Sequence, residues 1–113
     1  TARVPAGVWA APGGYTVRLT AAGQTLTAPL RVRMDPRVKT TLTGLDQQFR
    51  LSMRIVPVLN RLFDLAASNE RARTLHTQLL QIYAAVQGAD VIPSSQLVRQ
   101  ADELLKEAET IGP

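Results

Sequence analysis

The chain has no cysteine, a single histidine and few aromatic residues, namely Trp9, Tyr15, Phe49, Phe63 and Tyr83. Lack of cysteine excludes disulfides, thiolate metal sites and a cysteine nucleophile together, so stability has to come from packing. A lone His76 excludes paired-histidine chemistry, and a zinc or transition-metal site would have to be built from it and carboxylates alone. No Gly-x-Ser-x-Gly elbow exists for it to activate a serine, so His76 reads as a satisfied or exposed helix histidine. No apolar run approaches the roughly 20 residues that cross a bilayer, and no basic leader precedes an apolar stretch. No cofactor, metal or membrane insertion is expected.

What is present is one domain's worth of chain. Its 113 residues are 45% hydrophobic and 19% charged, a length and balance that permit one core and exclude a highly charged disordered tail. Beginning on Thr1 rather than Met, the chain is expected to be processed or excised from something longer. The net charge of +4 is uneven: residues 1–61 carry nine Arg or Lys against two acids, and 62–113 carry four against seven, giving +7 and −3. The arginines alternate with apolar residues, which suits a solvated face or contact with an acidic neighbouring domain better than a nucleic-acid site.

The hydrophobic period changes from two to about 3.6 across Met34, Asp35, Pro36, Arg37, Val38 and Lys39, which divides a β segment (1–39) from a helical one (40–113). Residues 1–14 are rich in Pro and Gly around Val8, Trp9, Ala10 and Ala11, a lead-in with at most one short strand segment. Trp9 is read as a cap over the end of the hairpin core, with sugar stacking or partner anchoring as its functional alternative. Tyr15, Val17 and Leu19 alternate with polar residues, and after Ala21, Ala22 and Gly23 the alternation resumes through Leu26 to Leu30, Val32 and Met34, with Arg31 and Arg33 between, which predicts a hairpin with one apolar face. Pro29 cannot donate to a ladder, so it belongs at a bulge or with its nitrogen on an open edge. A hairpin alone is marginal in water, so that face must be covered by the helices or by strands outside this chain.

Asp35-Pro36 ends the strand, and the Asp35 carboxylate is placed to accept amides of the following turn. Thr43-Gly44-Leu45-Asp46 fits a capping box for a first helix over about 43–67. That helix carries one stripe of Leu45, Phe49, Val56, Leu59 and Phe63 and a second of Leu51, Ile55, Val58, Leu62 and Leu65, with Pro57 expected to kink or split it. A second helix, about 69–87, starts at Ser68 or Asn69 and stops at Gly88, with Ala72, Leu75, Leu79, Ile82 and Val86 as its stripe. After a loop at 89–93, Ser94 or Ser95 caps a third, about 95–110, with Leu97, Ala101, Leu104 and Ala108 on one face and Val98 and Leu105 beside them. The fold class is therefore α+β, an N-terminal hairpin followed by an antiparallel three-helix bundle.

The carboxylates Asp102, Glu103, Glu107 and Glu109 lie on one helix rather than facing each other across a pocket, so they read as a solvated face. Arg18, Arg31 and Arg33 should share the polar face of the hairpin. With Trp9 they are the candidate interaction residues, and the alternative function they suggest is a binding module for an acidic glycan or nucleic acid. No aromatic residue lies between the arginines on that face, which counts against nucleic acid.

The run Pro12-Gly13-Gly14-Tyr15 feeding an alternating strand resembles the approach to the penultimate strand of an immunoglobulin-like sandwich, in which a tyrosine bonds back into the preceding turn. More widely, Ala11 to Thr20, Pro29-Leu30-Arg31-Val32, Met34 to Thr40 and Gln48-Phe49-Arg50-Leu51-Ser52, within residues 8–55, resemble the C-terminal region of large bacterial proteins with sortilin-like, Asp-box (BNR) β-propellers, often labelled glycosyl-hydrolase-like. The resemblance implies a non-catalytic C-terminal accessory domain that docks on its parent propeller or associates with itself, in a parent exported to the periplasm or secreted. The propeller's Asp-box does not occur here, so the resemblance implies no catalytic residue.

Overall fold

The computed structural model describes residues 7–88 and 93–111. Residues 89–92 of the loop expected at 89–93, and the lead-in before Gly7, lie outside the described residues. Two strands, β1 (Gly13–Ala21) and β2 (Gln24–Val32), form an antiparallel hairpin, and three helices follow, α1 (Leu42–Leu65), α2 (Glu70–Gln87) and α3 (Ser95–Glu109). All three helices pack on one another, as α+β with a helical bundle requires. Residues 8–11 form no strand.

Each helix begins on a side-chain cap. Thr41 accepts from Gly44 N, Asn69 from Ala72 N and Ser94 from Leu97 N, at 3.0–3.1 Å, satisfying amides that have no partner within the first turn. The first of these corrects the expected box: α1 starts one residue earlier than 43 because Thr41, not Thr43, is the cap, and it ends at Leu65 rather than 67. Asp46 turns along the helix to Arg50, at 2.8 Å.

The C-terminal ends are closed by side chains from elsewhere in the fold rather than by left-handed glycines. Arg73 Nη2 donates to Ala66 O at 2.9 Å beyond α1. Arg61 Nη1 donates to Ile111 O at 3.0 Å, and its Nη2 to Ala108 O, at the end of α3, where a cation also complements the helix dipole. Gly88 stops α2 with φ −74, so its role is room: a Cβ there would meet Ala84 O at 3.0 Å.

The core is one cluster shared by the three helices. Leu51, Ile55, Leu59 and Leu62 from α1, Ala72, Leu75, Leu79, Tyr83 and Val86 from α2, and Ala101, Leu105 and Ala108 from α3 are buried in it. The second stripe of α1 is therefore the deeper one, and Phe49, Val56 and Phe63 of the first are half-buried. In α2, Tyr83 takes the buried position that Ile82 was expected to hold, and burial raises its phenol pKa. Pro57 does not split α1, which runs 24 residues through it. Pro57 and Met53, the residue whose carbonyl loses its helical partner, both face solvent, so water can take that carbonyl.

Two expectations of isolated polar side chains are corrected. Asp102 and Glu107 do not merely decorate α3: Asp102 meets Arg54 of α1 at 2.8 Å and Glu107 faces Arg71 of α2 at 3.6 Å, exposed pairs worth about 0–1 kcal/mol each. His76 is neither satisfied nor exposed. It is half-buried beside Phe63, ring centres 5.9 Å apart, with Nε2 buried and without a hydrogen-bond partner.

Two measurements check this description. Pro57→Ala should raise unfolding stability, by up to about 3 kcal/mol on propensity scales, because the helix is continuous there; no gain in a denaturant titration would mean that it breaks at Pro57. Since the folded Tyr83 keeps its proton where the unfolded phenol, near pH 10, has lost it, stability should fall as pH rises from about 10, and Tyr83→Phe should flatten that alkaline loss.

Candidate interaction surface: the free-standing hairpin

The hairpin has no interior. Its register runs unbroken from Gly13↔Val32 to Ala21↔Gln24 around a two-residue loop, Ala22-Gly23. Both loop residues have positive φ, 51 for Ala22 and 76 for Gly23, the backbone of a type I′ turn, whose twist matches that of the strands. Glycine adopts this freely, whereas Ala22 bears a steric cost.

With this register one face carries Tyr15, Val17 and Leu19 opposite Leu30, Ala28 and Leu26. None of it is covered. Tyr15 is 39% exposed, Val17 48%, Leu19 61%, Leu26 64% and Leu30 50%, and neither strand packs on any of the three helices. Of the two covers expected for this face, the helices are not the one: the three of them pack on one another and not on the strands. The molecule is accordingly flat, 45 × 42 × 20 Å, with a radius of gyration of 16.8 Å against about 13 Å for a compact chain of this length.

The stem of the hairpin is nevertheless anchored. Gln48 and Ser52 are the buried polar residues of α1. Gln48 Nε2 donates to Val86 O, and the Ser52 hydroxyl donates to Gln48 O at 2.8 Å while accepting from Gln87 Nε2. Gln87 Oε1 in turn accepts from Trp9 N at 3.0 Å, and Trp9 Nε1 donates to Gln87 O at 3.2 Å. This chain satisfies two of the carbonyls that α2 leaves open at its end. Sequence reasoning missed Gln48 and Ser52, since polar residues in a helical pattern read as its wet side.

Trp9 is thus no cap over the hairpin core. The residue is 68% exposed and the polar edge of its ring is tied to the end of α2, while Val8 beside it packs on the bundle core. Above it, the Tyr15 hydroxyl donates to Ala11 O, as the tyrosine-corner pattern anticipates. Below β2, Asp35 accepts from Arg37 N at 2.9 Å and pairs with its guanidinium at 2.8 Å, which holds the carboxyl pKa below its usual value. A cleft of about 240 Å³ between stem and bundle is lined by Trp9, Pro12, Arg33, Asp35, Leu45 and Gln48 among others.

The arginines are not brought together. Arg18 and Arg31 occupy the polar face, Arg18 opposite Thr27 and Arg31 opposite Gly14, four residues apart along the sheet, or about 13 Å. Arg33 lies past the end of β2 in the stem cleft. Among the described residues no group of three or more His, Cys, Asp or Glu could hold a metal ion, and no helix is long and apolar enough to cross a membrane. No family model, curated protein or solved structure matches the chain.

Because Trp9 is the only tryptophan, its fluorescence reports the anchor directly. Gln87→Leu should lower the anisotropy of Trp9 emission while the helical circular dichroism is kept; an unchanged anisotropy would mean the indole is held by something other than Gln87.

Proposed function

We propose that this chain is a non-catalytic interaction domain in which the helical bundle is a stable mount and the hairpin is the docking element. The observation that carries the reading is the apolar face of Tyr15, Val17, Leu19, Leu26, Ala28 and Leu30, left in solvent on strands that touch no helix. A two-stranded sheet is marginal alone, and exposed apolar patches of this kind mark surfaces that meet another body. On the resemblance of residues 8–55, the chain serves as the C-terminal accessory region of a larger exported protein with a sortilin-like, Asp-box β-propeller. The hairpin then docks on that parent or on a second copy. The spread of Arg18, Arg31 and Arg33 gives the acidic-polymer reading no comparable focus.

The test is a charge pair across the strands, Leu19→Lys with Leu26→Glu. The unfolding free energy of the bundle should stay within about 0.5 kcal/mol, the range of ordinary surface changes, while association through the hairpin is lost. A loss of 2 kcal/mol or more would mean that this face packs on the bundle, and the docking reading would fall.

A further inference from the structure

The two edges of the hairpin are not equivalent. In a hairpin with a two-residue loop, the pair that closes the loop exchanges both hydrogen bonds, and bonded and non-bonded pairs then alternate down the ladder. Counting from Ala21↔Gln24, the bonded pairs are Leu19↔Leu26, Val17↔Ala28 and Tyr15↔Leu30. Gly14, Thr16, Arg18 and Thr20 therefore turn their amides and carbonyls away from β2, and Thr25, Thr27, Pro29 and Arg31 turn theirs away from β1. The outer edge of β2 is interrupted at its middle by Pro29, which has no amide to offer and whose ring obstructs an incoming strand. The outer edge of β1 has a donor and an acceptor at every outward position.

We infer that the outer edge of β1 pairs with β1 of a second copy of this chain, antiparallel about a two-fold axis at Val17. This rests on the reading of the hairpin as a docking element and names its partner. Val17 is the middle residue of the nine in β1, so this register alone pairs the strand along its full length. It sets Gly14 against Thr20 of the second copy and Thr16 against Arg18, as hydrogen-bonded pairs, with Tyr15 against Leu19 and Val17 against Val17 between them. Charge favours it as well. An axis one residue later would place Arg18 directly opposite Arg18, a like-charge pair that destabilises a sheet, whereas the axis at Val17 gives each Arg18 a threonine.

Area points the same way. One apolar face, two strands wide and nine residues long, covers about 300 Å², so two hairpins stacked face to face would bury about 600 Å², well under the roughly 1,200 Å² of a stable specific interface. Edge pairing puts both apolar faces on the same side of one four-stranded sheet and doubles that face to about 600 Å². Two such sheets stacked bury about 1,200 Å² and close the sandwich, as a dimer of dimers.

The absence of cysteine makes the register directly testable. In the paired strands, Val17 and its copy form a non-hydrogen-bonded pair with Cα atoms about 4.5 Å apart, within disulfide reach, whereas Leu19 and its copy are about 13 Å apart along the strands, beyond it. Single variants Val17→Cys and Leu19→Cys, similarly exposed in the single chain, are oxidised at equal concentration, and the wild-type mass is measured by light scattering. The expected result is a dimer or tetramer for the wild type, and covalent dimer at least 10-fold faster for Val17→Cys than for Leu19→Cys. Thr16→Pro, which removes one edge donor, should give a monomer with unchanged helical circular dichroism. A wild-type monomer at all concentrations, or equal cross-linking of the two cysteine variants, overturns the inference. Either result leaves the docking reading standing with a different protein's β layer as the occupant, since that reading falls only on the stability of the charge-pair variant.

Discussion

The last carbonyls of α2 must find donors, and the way they do so fixes how the two parts of the molecule are joined. Val86 O takes the amide of Gln48 and Gln87 O takes the indole of Trp9, while the Gln87 side chain runs between Ser52 and the Trp9 backbone. Burying Gln48 and Ser52 in a helix interface is costly unless they are hydrogen-bonded. Here the same bonds that satisfy them also end one helix, join it to a second and hold the stem of the hairpin. Gln48 and Ser52 are buried and the Trp9–Gln87 bonds are exposed, so the inner half of the anchor is where a lost partner costs most.

From that anchor the division of labour follows. The bundle buries the centre of its stripes: Ile55, Leu59, Leu62, Leu79, Ala72, Ala101 and Ala108 are inaccessible to solvent. None of its helices packs on the hairpin. The stem is held by Val8, Trp9, the Tyr15 bond to Ala11 and the Asp35–Arg37 turn, and beyond it the strands project alone. The result is a two-sided ribbon, apolar on one face, with one edge blunted by Pro29 and the other open.

Much of this architecture was legible in the sequence. The change of period at Met34 to Lys39 separates strands from helices, Asn69 and Ser94 cap where their side chains suit a first turn, and the alternation from Tyr15 onward gives the apolar face of the hairpin, whereas its register and the end of β2 at Val32, short of Arg33 and Met34, came from the fold. Pro29 is a clear instance: an open-edge position was one of the two places a proline could occupy, and the unbroken ladder puts it there rather than at a bulge. The cap at Thr41 was missed because Thr43 with Asp46 matches the local pattern equally well. Gln48 and Ser52 were missed because their burial depends on the end of α2, 34 or more residues away, and local periodicity carries no information about that meeting. The same limit applied to Trp9, whose partner Gln87 is 78 residues distant. Above all, alternation shows that a strand has an apolar face but not what lies against it, which is why the uncovered hairpin emerged only from the fold.

Whether the hairpin stands free of the bundle is read most directly from a methyl nuclear Overhauser spectrum of the wild-type chain. Cross-peaks are expected from Leu19 and Leu26 to other hairpin side chains of the same or a second copy, and none to the methyls of Leu51, Ile55, Leu79 or Leu105. Cross-peaks between the Leu19 or Leu26 methyls and those of the bundle would contradict it, because the apolar face of the hairpin would then be covered by its own helices.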